Sequence, residues 1–193
     1  MASASKRLLA RYNEALGVFT ELVHEVRPDQ WDAPTPCTEW SVRDLVAHLT
    51  GEQLWVVPLV REGRTIAQVG DAFEGDVLGD DPVAAWDRAA AGALEAFGEP
   101  GAMERTVNLS YGRRPATAYC SQMISDAVVH AWDLARGIGA DERLPRELVD
   151  FALEEVTPYA DSLYKSGLFD RPLKPPPGAD AQTELLAMVG RKV

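Results

Sequence analysis

Cysteine is nearly absent: Cys37 and Cys120 are the only two in 193 residues, with no CxxC spacing. Two thiols cannot make a disulfide framework, and they point to a reduced, cytoplasmic setting. Basic charge is also short. With 19 Lys and Arg against 30 Asp and Glu, the formal net charge is −11. Phosphate backbones are bound by a surplus of cations, so nucleic acid is excluded as a partner. No apolar run reaches the ~18–20 residues that span a bilayer, and no membrane segment is expected. The first residues, MASASKRLLARYNEALGVF, have the look of a transit peptide, but Glu14 and Glu21 interrupt it. It runs on into a helical pattern and is read as structure. No repeat at solenoid periods is visible.

What is present is ordinary for a globule: 46% hydrophobic and 25% charged residues. One domain over residues 1–193 is expected, large enough to bury a core without staples. Leu9, Tyr12, Leu16, Phe19, Val23 and Val26 recur at threes and fours, which makes one apolar helical face from about Ser5 to Val26. The stretch RPDQWDAPTPCTEW, with three prolines, is a loop. SVRD is a capping-box pattern at Ser41, and a second helix should run to about Glu62. Gly63 to Asp81 reads as irregular. Asp81-Pro82 opens a third helix to about Phe97. Thr106, Val107 and Leu109 before a Tyr-Gly turn allow one short strand or hairpin. A fourth helix is expected from about Ala116 to Arg136, stopped by Gly137 and Gly139, and a fifth from Pro145 to about Lys165. The tail FDRPLKPPPGADA is extended, lying across the bundle, with a last helical turn or two in AQTELLAMVGRKV. The fold class is all-α, a helix bundle.

The chemistry sits in two helices. With Leu45 at zero on a helical wheel, Leu49 falls about 40° and Val56 about 20° to one side. Glu52 falls about 20° to the other side and His48 about 60°, so a carboxylate and an imidazole share the apolar face. On the fourth helix, with Met123 at zero, Leu134 lies about 20° one way, while His130 lies about 20° and Asp126 about 60° the other. Ionisable groups facing a core are costly unless paired or metal-bound. His48, Asp126 and His130 make a two-His, one-carboxylate set that suits a divalent ion with open positions. A buried His–Asp pair without a metal is the competing account.

The remaining candidates are weaker. His24 reads as surface or loop-facing. Cys37 sits in the proline-rich loop with no nearby base, and is given a structural role. Tyr119 and Cys120 point inward beside the proposed site, as core or pocket lining. Trp31 and Trp40 plug the end of the bundle. Arg113 and Arg114 read as a solvated pair. Asp133, about 80° from Met123, is either a partner behind the ligands or a surface residue.

WDAPTPCTEWSVRDLVAHLTGE together with SDAVVHAWDLARGIG resembles the metal-binding helical bundles of the DinB and mycothiol-dependent maleylpyruvate isomerase N-terminal superfamily. The likeness is to its actinobacterial PCxEW…VRDLVAHL branch and covers most of the chain. It implies an up-down-down-up four-helix bundle, here with an extra C-terminal helix, carrying a divalent metal near one end. By position the implied ligands are His48, Asp126 and His130; Glu52 has no ligand role and stands as a general-base candidate or a partner behind the ligands. Relatives use the metal to make a thiolate from a low-molecular-weight thiol. The resemblance thus implies a thiol-dependent transferase with mycothiol as co-substrate, acting on a small molecule. A non-catalytic metal- or small-molecule-binding bundle is the alternative. Zinc leads the metal candidates, with nickel, iron and manganese compatible, and a homodimer is open. Two departures stand out: the ligand pair begins with Asp126 where the isomerases have Glu, and the additional α/β domain of the isomerases has no room in this chain. Maleylpyruvate isomerisation is therefore not carried over.

Overall fold

A computed structural model of the chain describes residues 2–165 and 169–193. The bundle is built from α1 (Ala2–Glu25), α2 (Val42–Val56), α4 (Pro82–Gly98) and α5 (Ala116–Ile138), with α3 (Ile66–Val69) a single turn between α2 and α4. Strands β1 (Thr106–Leu109) and β2 (Gly112–Pro115) form an antiparallel hairpin that leads directly into α5. Beyond the bundle follow α6 (Arg146–Val156), α7 (Ala160–Lys165) and α8 (Ala181–Met188).

Each of α1 and α2 packs against both α4 and α5. The end of α1 meets the start of α4 through His24 and Asp87, and Gly98 at the other end of α4 lies on Leu9, so those helices are antiparallel. Gln30, just past α1, bonds Ile138 at the end of α5, so α1 and α5 run the same way. Val42 lies beside Gly137 while His48 meets His130, which makes α2 antiparallel to α5. The topology is up-down-down-up.

The expected apolar stripe of α1 is the one buried: Tyr12, Leu16, Phe19, Val23 and Val26 all face the core, where Phe19 meets Trp86 and Tyr12 meets Phe97. Fully burying side chains of this kind is worth about 1.5–3 kcal/mol each. At the start of α2, Ser41 accepts from the Asp44 N–H while Asp44 accepts from the Ser41 N–H, the reciprocal cap that its spacing announces.

Four features differ from the sequence reading. Gly137 does not stop α5, which runs through it to Ile138 and is capped by Gly139 in the left-handed conformation. The α-helical pattern of α2 stops at Val56 and continues as a π-helical turn, Val57–Arg61, because Pro58 has no N–H to give. The expected irregular stretch after it contains α3, capped by Thr65 and Gln68. The expected fifth helix is broken into α6 and α7 by a 3₁₀ turn at Thr157–Tyr159, with Pro158 at its start. The C-terminal helix α8 packs on α6, and the chain before it is extended, as its prolines require. No described helix is long and apolar enough to cross a membrane.

Candidate metal centre

His48 and Glu52 come from one face of α2, and Asp126, His130 and Asp133 from one face of α5. The antiparallel packing of these helices brings the two faces together near one end of the bundle. His48 Nε2 lies 3.5 Å from Asp126 Oδ2, and His130 Nε2 lies 3.4 Å from Asp126 Oδ1. One donor atom from each of His48, Asp126 and His130 falls within 4.8 Å of the others. Two ligands at zinc-bond length, about 2.0–2.2 Å, stand about 3.3–3.6 Å apart across a tetrahedral ion. The carboxylate–imidazole spacings match that edge and exceed a good hydrogen bond. The donor set therefore fits a divalent ion.

The orientation of His130 is fixed from behind. Asp133 Oδ2 lies 2.9 Å from His130 Nδ1, so Nδ1 carries the proton and Nε2 faces Asp126 and His48. Asp133 is fully buried and His130 is 4% exposed. The sequence left Asp133 between a supporting role and the surface; the structure puts it behind His130.

Aromatic side chains close the site. The Trp40 ring lies 4.9 Å from that of His48 and 5.9 Å from that of His130, and Phe169 stacks on His130 at 6.2 Å. Trp40 thus covers the imidazoles as well as the bundle end. Outward from His48 a cleft of about 480 Å³ opens, lined among others by Glu39, Trp40, Asp44, Glu52 and Phe73. Tyr119 and Cys120 are buried in the adjoining core, and burial pushes the Cys120 thiol up to about 12.

The electrostatics follow from crowding opposite charges where His130 and Asp133 are buried and His48, Glu52 and Asp126 are partly so. Burial works against the Asp126 carboxylate, but His130 and His48 outweigh it and hold the carboxyl well below the usual range. Burial also opposes a charged His130, yet Asp126 and then Asp133 raise its imidazole well above its ordinary value. Glu52 goes the other way: burial first, then the Asp126 charge, raise its carboxyl. Without an ion, then, His130 holds a proton between two carboxylates. A divalent cation would supply the same positive charge at Nε2.

Cys37 corrects the sequence reading. The proline-rich loop folds back over α5 and puts Sγ 3.1 Å from Asp133 Oδ2 and 3.6 Å from His130 Nδ1. Cys37, His130 and Asp133 form a second group with metal-ligand spacing. Its room is taken, since the Arg191 guanidinium lies 3.1 Å from Sγ and 2.9 Å from the same Asp133 oxygen. Neither Cys37 nor Arg191 carries a local signal of this role; only the proline-rich sequence around Cys37 marks its loop as special. The expectations for His24 and the Arg113–Arg114 pair hold. His24 is a half-exposed partner of Asp87, and Arg113 and Arg114 are exposed on β2.

Comparison with known proteins identifies the family. The sequence profile of the mycothiol maleylpyruvate isomerase N-terminal domain matches residues 12–135, which hold all of α2, α4 and the ligand-bearing part of α5. Two uncharacterised proteins of Mycobacterium tuberculosis, from strains CDC 1551 / Oshkosh and ATCC 25618 / H37Rv, are each 36% identical over 140 residues. That is 72% of this chain and 72% of theirs. No solved structure matches. The profile covers well over half the chain on the same helices that carry the ligand-spaced side chains, and the chain belongs to the mycothiol maleylpyruvate isomerase N-terminal domain family.

Proposed function

We propose that His48, Asp126 and His130 hold a divalent ion, zinc before nickel, iron or manganese, and that the protein is a thiol-dependent transferase using a mycothiol-type thiol. The observation that carries this reading is the spacing of the three side chains: two imidazole nitrogens stand 3.4–3.5 Å from the two oxygens of one carboxylate. Of the three, His48 lies at the wall of a cleft large enough for a small molecule. The family assignment supports the thiol.

When bound, the ion would lower the pKa of a thiol or water at its open positions. The chain's own residues supply the rest. Asp133 keeps His130 in one tautomer, so that Nε2 is available as a ligand. Glu52 lines the cleft one turn from His48, and its raised carboxyl makes it the group that accepts the thiol proton. Trp40 and Phe73 offer apolar surface to the bound molecule. Glu39, Asp44 and Glu52 line the cleft and, among the described residues, no Lys or Arg does. The acceptors suit a hydroxyl-rich thiol, and they disfavour an anionic electrophile, so the second substrate is uncharged.

The test has two stages. Elemental analysis of wild type, His48→Ala and His130→Ala should find about one ion per chain in the first and a large loss in the others. Folded wild type that takes up no metal overturns the reading. Thiol transfer is then assayed with mycothiol and a panel of neutral electrophiles. Metal-loaded protein with no turnover in any pairing favours the non-catalytic binding bundle instead.

A further inference from the structure

The carboxylate behind His130 is held from the far end of the chain. Arg191 gives Nε to Asp133 Oδ1 at 3.1 Å and Nη2 to Asp133 Oδ2 at 2.9 Å, a two-pronged grip on both oxygens. Nη2 also lies 3.1 Å from Cys37 Sγ, and Nη1 donates to the Val189 carbonyl at 3.0 Å. Both partners are out of solvent, Arg191 being 6% exposed. The guanidinium lies over Phe169 at 5.6 Å, and Phe169 in turn stacks on His130.

The backbone is shaped to deliver this side chain. Past α8 the chain reverses, with the Arg191 N–H on the Leu186 carbonyl at 2.8 Å. Gly190 makes the reversal at φ +81°, and a Cβ there would stand 2.5 Å from Asp170 Cβ and 2.8 Å from its carbonyl carbon. Only glycine accepts both the left-handed backbone and that approach. The family profile ends at residue 135, so this clamp comes from outside the matched segment.

We propose that Arg191 is a positioning residue for the metal centre. By fixing both oxygens of Asp133 it fixes the Asp133–His130 bond, and so which nitrogen of His130 faces the ion. The inference rests on the metal reading above. Asp133 Oδ2 is shared by His130, Arg191 and Cys37. The guanidinium is the partner that fixes both Asp133 oxygens at once; without it the plane that His130 Nδ1 requires is no longer set, and the imidazole is free to turn. A lock that merely pins the tail to the bundle would change stability and leave ion affinity alone.

Co²⁺ titration of the full chain separates these roles, with the visible absorption of the bound ion reporting its ligand geometry. Arg191→Ala should weaken Co²⁺ binding by about tenfold to a hundredfold, the usual cost of losing an outer partner of a ligating histidine, and should alter the band. Arg191→Lys keeps the charge and loses the planar fork, so it should remain weakened; it carries the test if the alanine variant does not fold. Folded variants with wild-type affinity and an unchanged band overturn the inference alone. Wild type that binds no Co²⁺ overturns the metal reading and the inference with it.

Discussion

The protonation of His130 makes the stability of the metal-free protein fall with rising pH, and a bound ion should abolish that fall. His130 is 4% exposed, and Asp126 and Asp133 raise its imidazole well above its ordinary value of about 6.5. Between the unfolded and folded pKa the native chain holds one proton more than the unfolded chain. Stability is then fully present below about pH 6.5 and is lost at about 1.4 kcal/mol per pH unit above it, until the folded pKa is passed. At this chain length that corresponds to a drop of roughly 3–6 °C in Tm per unit. A metal ligand must be the neutral imidazole, so zinc removes the extra proton and with it the slope. Free zinc at 100 times its Kd adds about 2.7 kcal/mol as well. Urea unfolding from pH 6.5 to 9, in chelator and in zinc, measures both curves. His130→Ala is the control that isolates the slope from other titrating groups. A metal-free wild-type curve that is flat from pH 7 to 9, or one that His130→Ala reproduces, refutes the reasoning.

Three further outcomes are expected. Glu52→Gln should keep the bound ion, since Glu52 is not among the three ligand-spaced groups, and should lower thiol transfer by about 10²–10⁴-fold, as measured by steady-state rates beside metal analysis. Ser41→Ala removes the reciprocal cap of α2 and should cost about 1 kcal/mol in urea unfolding, with Asp44→Asn costing part of that and only at pH above the carboxyl's lowered range. Cys120 is fully buried with its thiol pushed up to about 12, so iodoacetamide at pH 8 should leave it unlabelled in the native protein and label it after denaturation, read by mass spectrometry.

Much of the architecture was legible because helices advertise themselves locally. The periodic face of α1, the capping box at Ser41 and the proline behind Asp81 are properties of neighbouring residues, and each appears where its pattern put it. Prolines inside apolar runs override the hydrophobic period. Pro58 and Pro158 each end regular α-helix where the hydrophobic pattern itself continues.

The inward aim of His48, Asp126 and His130 was also set by the sequence, since a wheel of about 100° per residue fixes which side chains share a face. Which faces meet is another matter, decided by antiparallel packing of α2 on α5 and by nothing within either helix. The support behind the site lay further out of reach. Cys37 and Arg191 are separated by 154 positions, yet Nη2 lies 3.1 Å from Sγ. A loop and a tail have no period from which to compute a direction. Their contacts arise only when the bundle brings distant backbone together, because a buried carboxylate such as Asp133 demands partners from whatever segment can reach it.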